Sequence, residues 1–238
     1  MLSIIIPTLN EEKSLPALLS SIKEQEFENY EIIVADAGSK DDTLKLAKKY
    51  DCRIVDGGLP AVGRNNGAKI AKGDYLLFLD ADVILPKDFL KITINKFKNK
   101  NLDISSCLMT PLSSKKIDFI LHNVVNIYLM ITQYFYPHAP GFCILVKKDL
   151  HNVIKGFNEK IKLAEDHDYA NRAGRSGKFR ISYSPKIFVS VRRLETDGRF
   201  NISMKYLFAE IYRMTIGEIK SDIFNYKLRH HYESTRKQ

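Results

Sequence analysis

Cysteine is scarce in this 238-residue chain, with only Cys52, Cys107 and Cys143. They are odd in number, far apart, and in no CxxC or Cys/His cluster. That argues against a disulfide scaffold and a thiolate zinc module, and free thiols fit a reducing compartment. Glycine is missing where a dinucleotide fold needs it. The first strand runs into Pro7-Thr8-Leu9-Asn10-Glu11-Glu12, not GxGxxG, so hydride chemistry on NAD is disfavoured. A Walker A motif is absent too. The N-terminus has no basic region and no long apolar run, so it does not read as a signal peptide. Only Ile117 to Tyr136 has spanning length, and His122, Asn123, Asn126, Thr132 and Gln133 interrupt it. It stands between a membrane span, a buried or amphipathic helix, and a membrane-surface helix.

Acid is in deficit. There are 37 Lys+Arg against 28 Asp+Glu, a net charge of +9, with 45% hydrophobic and 27% charged residues. A globular chain of this size holds a full core, and a disordered or collagen-like chain is excluded. The basic excess admits nucleic acid, an anionic membrane or a phosphate-bearing substrate.

The first third alternates strand and helix signals. Apolar β-branched runs lie at Ser3–Ile6, Glu31–Ala35 and Arg53–Val55, and Tyr75–Leu79 is apolar throughout, as a doubly buried strand should be. Helical periodicity marks Glu11–Glu24 (Leu15, Leu18, Leu19, Ile22), Asp41–Lys49 and Val62–Lys72. This βαβ succession predicts a mostly parallel central sheet flanked by helices in an α/β fold. The second half is less regular. It has helices at Asp88–Lys98, Ser114–Tyr134, Leu163–Ser176 and Ser203–Ile219, and strands at Ile104–Met109, Phe142–Val146 and Ile187–Val191. The basic tail Lys227–Gln238 is frayed or surface-docked. The expected division is a catalytic domain over 1–199 and an amphipathic helix with a basic tail over 200–238, packed on the same domain.

Ligands of open α/β sheets bind beyond the carboxyl ends of the strands. Three polar clusters fall there: Pro7–Glu12, Asp36–Thr43 and Asp80-Ala81-Asp82. Asp80 and Asp82, two carboxylates flanking a small residue, suit one hard cation that keeps positions open for phosphates. A helix cap is the alternative. Asp36 reads either as an acceptor for a base N–H or as part of a turn that Ser39 or Asp41 caps. Arg64, near the start of a helix, is ill-placed for the dipole and suits phosphate or ribose. Otherwise it is a surface arginine. Glu165 and Asp166 open a helix where the dipole favours acids, or supply a general base. Adjacent Arg192 and Arg193 read as a diphosphate clamp or a solvated basic loop. Tyr206 to Tyr212 reads as core aromatic.

In order, IIIPTLNEE, DAGSKDDT, GRNNGAKIAKGDYLLFLDAD and GFCILVKKDL…GFNEKIKLAEDHDYANR resemble the family-2 glycosyltransferases of the GT-A fold, from Ser3 to about Val191. The resemblance implies a nucleotide-sugar donor, Mg²⁺ or Mn²⁺, and sugar transfer with inversion. It implies that Pro7, Thr8 and Glu11 line the nucleotide pocket and Asp36 meets the base. Arg64 and Asp80 then contact the nucleotide-sugar, and Asp82 ligates the metal. Gly141 lies beside the acceptor, and Asp166, paired with Glu165, is the base. DAGS replaces the commoner DDGS. RRLETDGR stands where processive members carry QxxRW, which argues against long-chain polymerisation.

The acceptor expected is a glycan or a lipid-linked molecule such as a polyprenyl phosphate. The enzyme would be cytoplasmic, peripheral on the cytoplasmic face of an anionic membrane. A sugar-1-phosphate nucleotidyltransferase is disfavoured by the lack of a Gly-rich basic loop after the first strand. Nucleic-acid binding is disfavoured by the lack of any helix-turn-helix or RNP motif.

Overall fold

The structure is a computed structural model that describes residues 1–220. The Lys227–Gln238 tail lies outside the described residues. Eight strands form one sheet: β1 (Leu2–Thr8), β2 (Tyr30–Asp36), β3 (Arg53–Asp56), β4 (Tyr75–Leu79), β5 (Val83–Ile84), β6 (Ile104–Leu112), β7 (Cys143–Lys147) and β8 (Phe179–Ser190). Their order is β3-β2-β1-β4-β7-β6-β8-β5. β1 pairs in parallel with β2 and β4, and β2 with β3. β7 runs antiparallel to both β4 and β6, while β8 is parallel to β6 and antiparallel to β5. The sheet is thus a parallel half joined to a mixed half.

The period-two alternation of the strands divides the core. Ile4 and Ile6 point to one face, with Leu15, Leu18, Leu19 and Ile22 of α1 (Leu15–Lys23), Ala47 of α2 (Thr43–Lys49), and Phe89, Leu90 and Phe97 of α4 (Phe89–Asn99). Ile5 points to the other, with Ala61 and Ala68 of α3 (Pro60–Ile70), Leu129 of α5 (Lys116–Thr132), Leu150 of α6 (Lys148–Val153) and Tyr169 of α7 (Glu165–Ser176). α3 lies close on β1 because it is rich in small residues. A Cβ on Gly67 would fall 2.4 Å from Ile5 Cγ2. The chain continues through α8 (Arg192–Thr196) and α9 (Arg199–Thr215).

Three features depart from the sequence reading. β8 has twelve residues, not a short run after Ile187. Arg192 and Arg193 open the short helix α8 rather than a loop. The apolar stripe of α9 faces outward: Tyr206, Leu207, Ile211 and Met214 are exposed, and the buried positions are Ile202, Ala209 and Arg213. Tyr206 is therefore not core aromatic. The expected boundary at 199/200 falls in the first turn of α9.

The interrupted segment is α5, and its polar residues explain its orientation. Asn126 Nδ2 donates to the Met109 carbonyl at 2.9 Å, and Asn126 Oδ1 accepts from Met109 N–H at 3.1 Å. This pairing covers the place where the β6–β8 register shifts. Gln133 Oε1 accepts from the Ile181 N–H of β8. Asn126, Thr132 and Gln133 are buried against the protein, Asn123 is exposed, and Ile120, Val124, Ile127 and Ile131 are each more than half exposed. α9 lies alongside, held by Arg199 on Asp118 and by the Tyr128 hydroxyl on Glu210. Among the described residues, no helix is long and apolar enough to cross a membrane.

Candidate active site

The register Thr8↔Asp36 sets the carboxyl ends of β1 and β2 side by side. Thr8 Oγ1 donates to Asp36 Oδ1 at 2.9 Å, and the Gly38 and Ser39 N–H groups donate to Oδ2 at 3.0 and 2.8 Å. The Ser39 hydroxyl adds a fourth bond. Asp36 thus organises the loop after β2, with Gly38 at φ 88°. The following loop is laced to the one after β1. Asn10 N–H donates to Ser39 Oγ, Glu11 N–H to Thr43 Oγ1 and Glu12 N–H to Asp41 Oδ2. Asp41 also accepts from the Thr43 N–H at the start of α2, but the N-cap of that helix is Asp42, not the expected Ser39 or Asp41. Pro7, near the end of β1, packs against α3, where a Cβ on Gly63 would meet its ring at 3.3 Å.

Arg64 sits at the centre. It is 3% exposed, in the second turn of α3 rather than at its start. Nη1 donates to Glu165 Oε1 at 2.7 Å and Nη2 to Asp80 Oδ1 at 2.8 Å. Its guanidinium lies over the Phe157 ring at 5.4 Å. Burial opposes the charge, but Asp80, Glu165 and Asp166 outweigh it, so the pKa is raised and Arg64 stays cationic. The surface reading of Arg64 is therefore wrong. The next residue, Asn65, holds the segment before α7, exchanging hydrogen bonds with both the carbonyl and the N–H of Phe157.

Asp166 Oδ2 accepts from the Gly141 N–H, and Oδ1 from the His167 N–H. Gly141 packs directly on both groups: a Cβ there would lie 2.5 Å from Arg64 Nη2 and 3.0 Å from Asp166 Oδ2, so either side chain would have to shift. Burial raises the carboxyls of both Glu165 and Asp166. The charge of Asp166 adds to the effect on Glu165, and Arg64 opposes it on each. A carboxyl raised in this way is suited to taking and returning a proton near neutral pH.

On the other flank, Arg192 donates from Nη1 and Nη2 to the two oxygens of Glu11, each at 3.0 Å, and from Nη2 to Asp82 Oδ2 at 3.3 Å. Arg193 Nη1 reaches the Tyr206 hydroxyl at 3.5 Å. Burial and then the charge of Asp80 push Asp82 up to about 6, with Arg192 pulling the other way. Asp80 and Asp82 each meet an arginine through one oxygen. An all-oxygen pair at a strand end, with one carboxyl pushed toward its neutral form, fits a hard divalent cation, which would relieve that repulsion.

The predicted residues thus fall into two linked groups. One joins Pro7, Thr8, Glu11, Asp36, Asp82 and Arg192, with Arg193 beside Arg192 in α8. The other joins Arg64, Asp80, Gly141, Glu165 and Asp166. Sequence reasoning missed Asn65 and Phe157, which lie inside the quoted segments but carry no charge. It also missed Tyr206 as the partner of Arg193.

Comparison with known proteins decides the family. Residues 3–151 match glycosyl transferase family 2. The chain belongs to that family. The poly(ribitol-phosphate) β-N-acetylglucosaminyltransferase TarS of Staphylococcus aureus strain Mu50 is 26% identical over 187 residues, covering 72% of this chain and 32% of TarS. The poly(ribitol-phosphate) β-glucosyltransferase of Bacillus spizizenii is 28% identical over 236 residues, covering 93% of this chain and 36% of that protein. The family-2 chain therefore spans about a third of the length of these relatives. Solved structures share its GT-A fold. TarS 1–349 of S. aureus in complex with UDP-GlcNAc superposes with TM-score 0.67 at 21% identity, covering 89% of this chain and 66% of that one. The mannosyltransferase PcManGT of Pyrobaculum calidifontis with GDP-Man and Mn²⁺ gives TM-score 0.71 at 19% identity, covering 92% and 65%.

Proposed function

We propose that this chain is the catalytic unit of an inverting glycosyltransferase that moves a sugar from a nucleoside-diphosphate sugar to an acceptor hydroxyl or phosphate. The observation that carries the reading is Arg64, one buried guanidinium bonded on one side to Asp80 and on the other to Glu165. It ties the strand-end acids suited to a donor to the acid pair suited to a base.

The cleft formed by Pro7, Thr8, Glu11 and the Asp36 loop holds the nucleoside. Arg192 and Arg193 face the diphosphate. Asp82 and Asp80 would hold Mg²⁺ or Mn²⁺, and such a cation neutralises negative charge on the diphosphate. Asp166, held by the Gly141 and His167 N–H groups, takes the proton of the acceptor hydroxyl. The acceptor oxygen bonds to the sugar C1 from the opposite face as the bond from C1 to the phosphate oxygen breaks. The electron pair leaves with the nucleoside diphosphate, and one displacement inverts the centre.

The outward apolar faces of α5 and α9 support a lipid-linked acceptor and peripheral attachment to an anionic bilayer. Exposed Lys115 and Lys116 at the start of α5 and Lys220 beyond α9 supply matching charge. The glycan reading is kept by the relatives named for poly(ribitol-phosphate) transfer. Free Cys52, Cys107 and Cys143 agree with the cytoplasmic face.

The test is donor turnover by the full chain with UDP-, GDP- and dTDP-sugars and Mg²⁺ or Mn²⁺. Asp166→Asn should lower kcat by about 10²- to 10⁴-fold while donor-induced thermal stabilisation persists. Asp82→Ala should abolish turnover with the fold intact. Wild-type rates in both variants would refute the reading, and pyrophosphate release would favour nucleotidyl transfer.

A further inference from the structure

A second cluster of ligating side chains stands beside the acid pair, and the proposed transfer does not use those side chains. His138 comes from the segment between α5 and β7, His167 from the first turn of α7, and Glu210 from α9. One ligating atom of each lies within 4.8 Å of the other two.

The two imidazoles are stacked, with centroids 5.0 Å apart and planes 16° apart. His138 is 1% exposed. Its Nδ1 is hydrogen-bonded to the Tyr136 carbonyl at 2.8 Å. A carbonyl only accepts, so Nδ1 carries the proton and Nε2 carries a lone pair. That Nε2 is buried without a partner, and so is Nδ1 of His167. The other nitrogen of His167, Nε2, faces Asp166 Oδ1 at 3.9 Å.

Two buried, unpartnered ring nitrogens converging on a carboxylate are costly for a protein to leave unsatisfied. A cation that accepts nitrogen donors removes that cost. Burial, together with neighbouring positive charge, disfavours protonation of His167. Burial also lowers His138, so both rings keep their lone pairs at neutral pH.

We propose that His138, His167 and Glu210 bind one zinc ion. Two imidazoles and one carboxylate, with no thiolate, form a donor set that zinc accepts, leaving a fourth position for water. The surrounding contacts are those a metal ligand needs. The Tyr136 carbonyl orients His138, and the Asp166 carboxylate faces the outer nitrogen of His167. Tyr128 donates to Glu210 Oε1 at 2.8 Å and Arg213 to Oε2 at 3.0 Å, which leaves the carboxylate with further acceptor capacity. Glu218, 3.3 Å from Arg213 Nε, shares the charge of that arginine. Bonds of about 2.0–2.1 Å to zinc bring ligand atoms closer together than 4.8 Å, so loading draws the three side chains inward. The ion would clasp α9 to the start of α7 one residue from Asp166.

This site is separate from Asp80 and Asp82, and its test is independent of sugar transfer. Co²⁺ is titrated into the untagged full chain carrying Asp82→Ala, which removes the strand-end acid. The visible ligand-field spectrum is recorded, followed by displacement with Zn²⁺. The expected result is one Co²⁺ per chain with the intense bands of a four-coordinate site, displaced by one equivalent of Zn²⁺. Adding His138→Ala or Glu210→Gln should weaken binding by at least 100-fold. Tyr128→Phe should weaken it by about tenfold, as loss of an outer partner does. Circular dichroism checks that each variant is folded. If His138→Ala does not fold, Glu210→Gln decides. Absence of the bands in the Asp82→Ala chain overturns the proposal, and so do bands that survive unchanged in a folded His138→Ala or Glu210→Gln variant.

Discussion

Asp82 holds its proton to higher pH in the fold than in the unfolded chain, with its pKa moved from 3.8 to about 6. Between these values the native state binds more protons, so stability falls as pH rises through that window, and the full loss is present above it. Asp82→Asn removes the penalty. In chelator-treated protein, the variant should therefore gain on wild type as pH rises from 4 to 7, by about 1 kcal/mol after allowing for partial solvent screening. The measurement is Tm against pH, and parallel curves would contradict it. Mn²⁺ at pH 7 should raise Tm for wild type and not for the variant. The acids were legible because they follow strand ends, where the sheet's polarity sends ligands. The contacts of Arg64 were not, since Glu165 lies 101 residues away in the sequence. No local pattern says that a guanidinium beside one helix turn will be buried between two distant carboxylates.

Among the elements, α5 tests how polar residues set the orientation of an apolar helix. Replacing Asn126 with Leu strips both partners from the Met109 backbone at the β6 irregularity. Leaving buried N–H and C=O groups unpaired should cost about 2 kcal/mol. A urea midpoint shifted at constant slope would record it, and an unchanged midpoint would show that the pairing is dispensable. The βαβ half of the fold was readable from periodicity, with Tyr75–Leu79 found residue for residue as β4. The mixed half was harder. Strand β8 begins in Phe179–Ser184, whose apolar–polar alternation the sequence reading passed over, and Pro185 breaks the run before Ile187. β5 is only two residues long. α9 was recognised as a helix, but its stripe does not say whether the apolar side meets protein or something outside it.

Across the whole molecule, charge and exposed apolar surface meet on the side formed by α5 and α9. Vesicles containing anionic lipid should carry the full chain upward in flotation, with binding that weakens as salt rises. Val124→Asp with Ile131→Asp, at positions 61% and 58% exposed, should reduce flotation at least tenfold while leaving the urea midpoint in place. Equal flotation of variant and wild type would show that this face does not meet lipid. The order in which the chain is made gives the Arg64 bridge another meaning. β1, β2, β3 and β4 pair among themselves within the first 79 residues, so the strand ends carrying Thr8 and Asp36 can come together early in synthesis. Glu165 and Asp166 emerge long after Arg64, and Arg192 emerges 181 residues after Glu11. A nascent chain ending before α7 can therefore pair β1 to β4 but has neither the acid pair nor the Arg192 contact with Glu11. The contacts that Arg64 and Glu11 make with the C-terminal third thus form only after the parallel half of the sheet has been made.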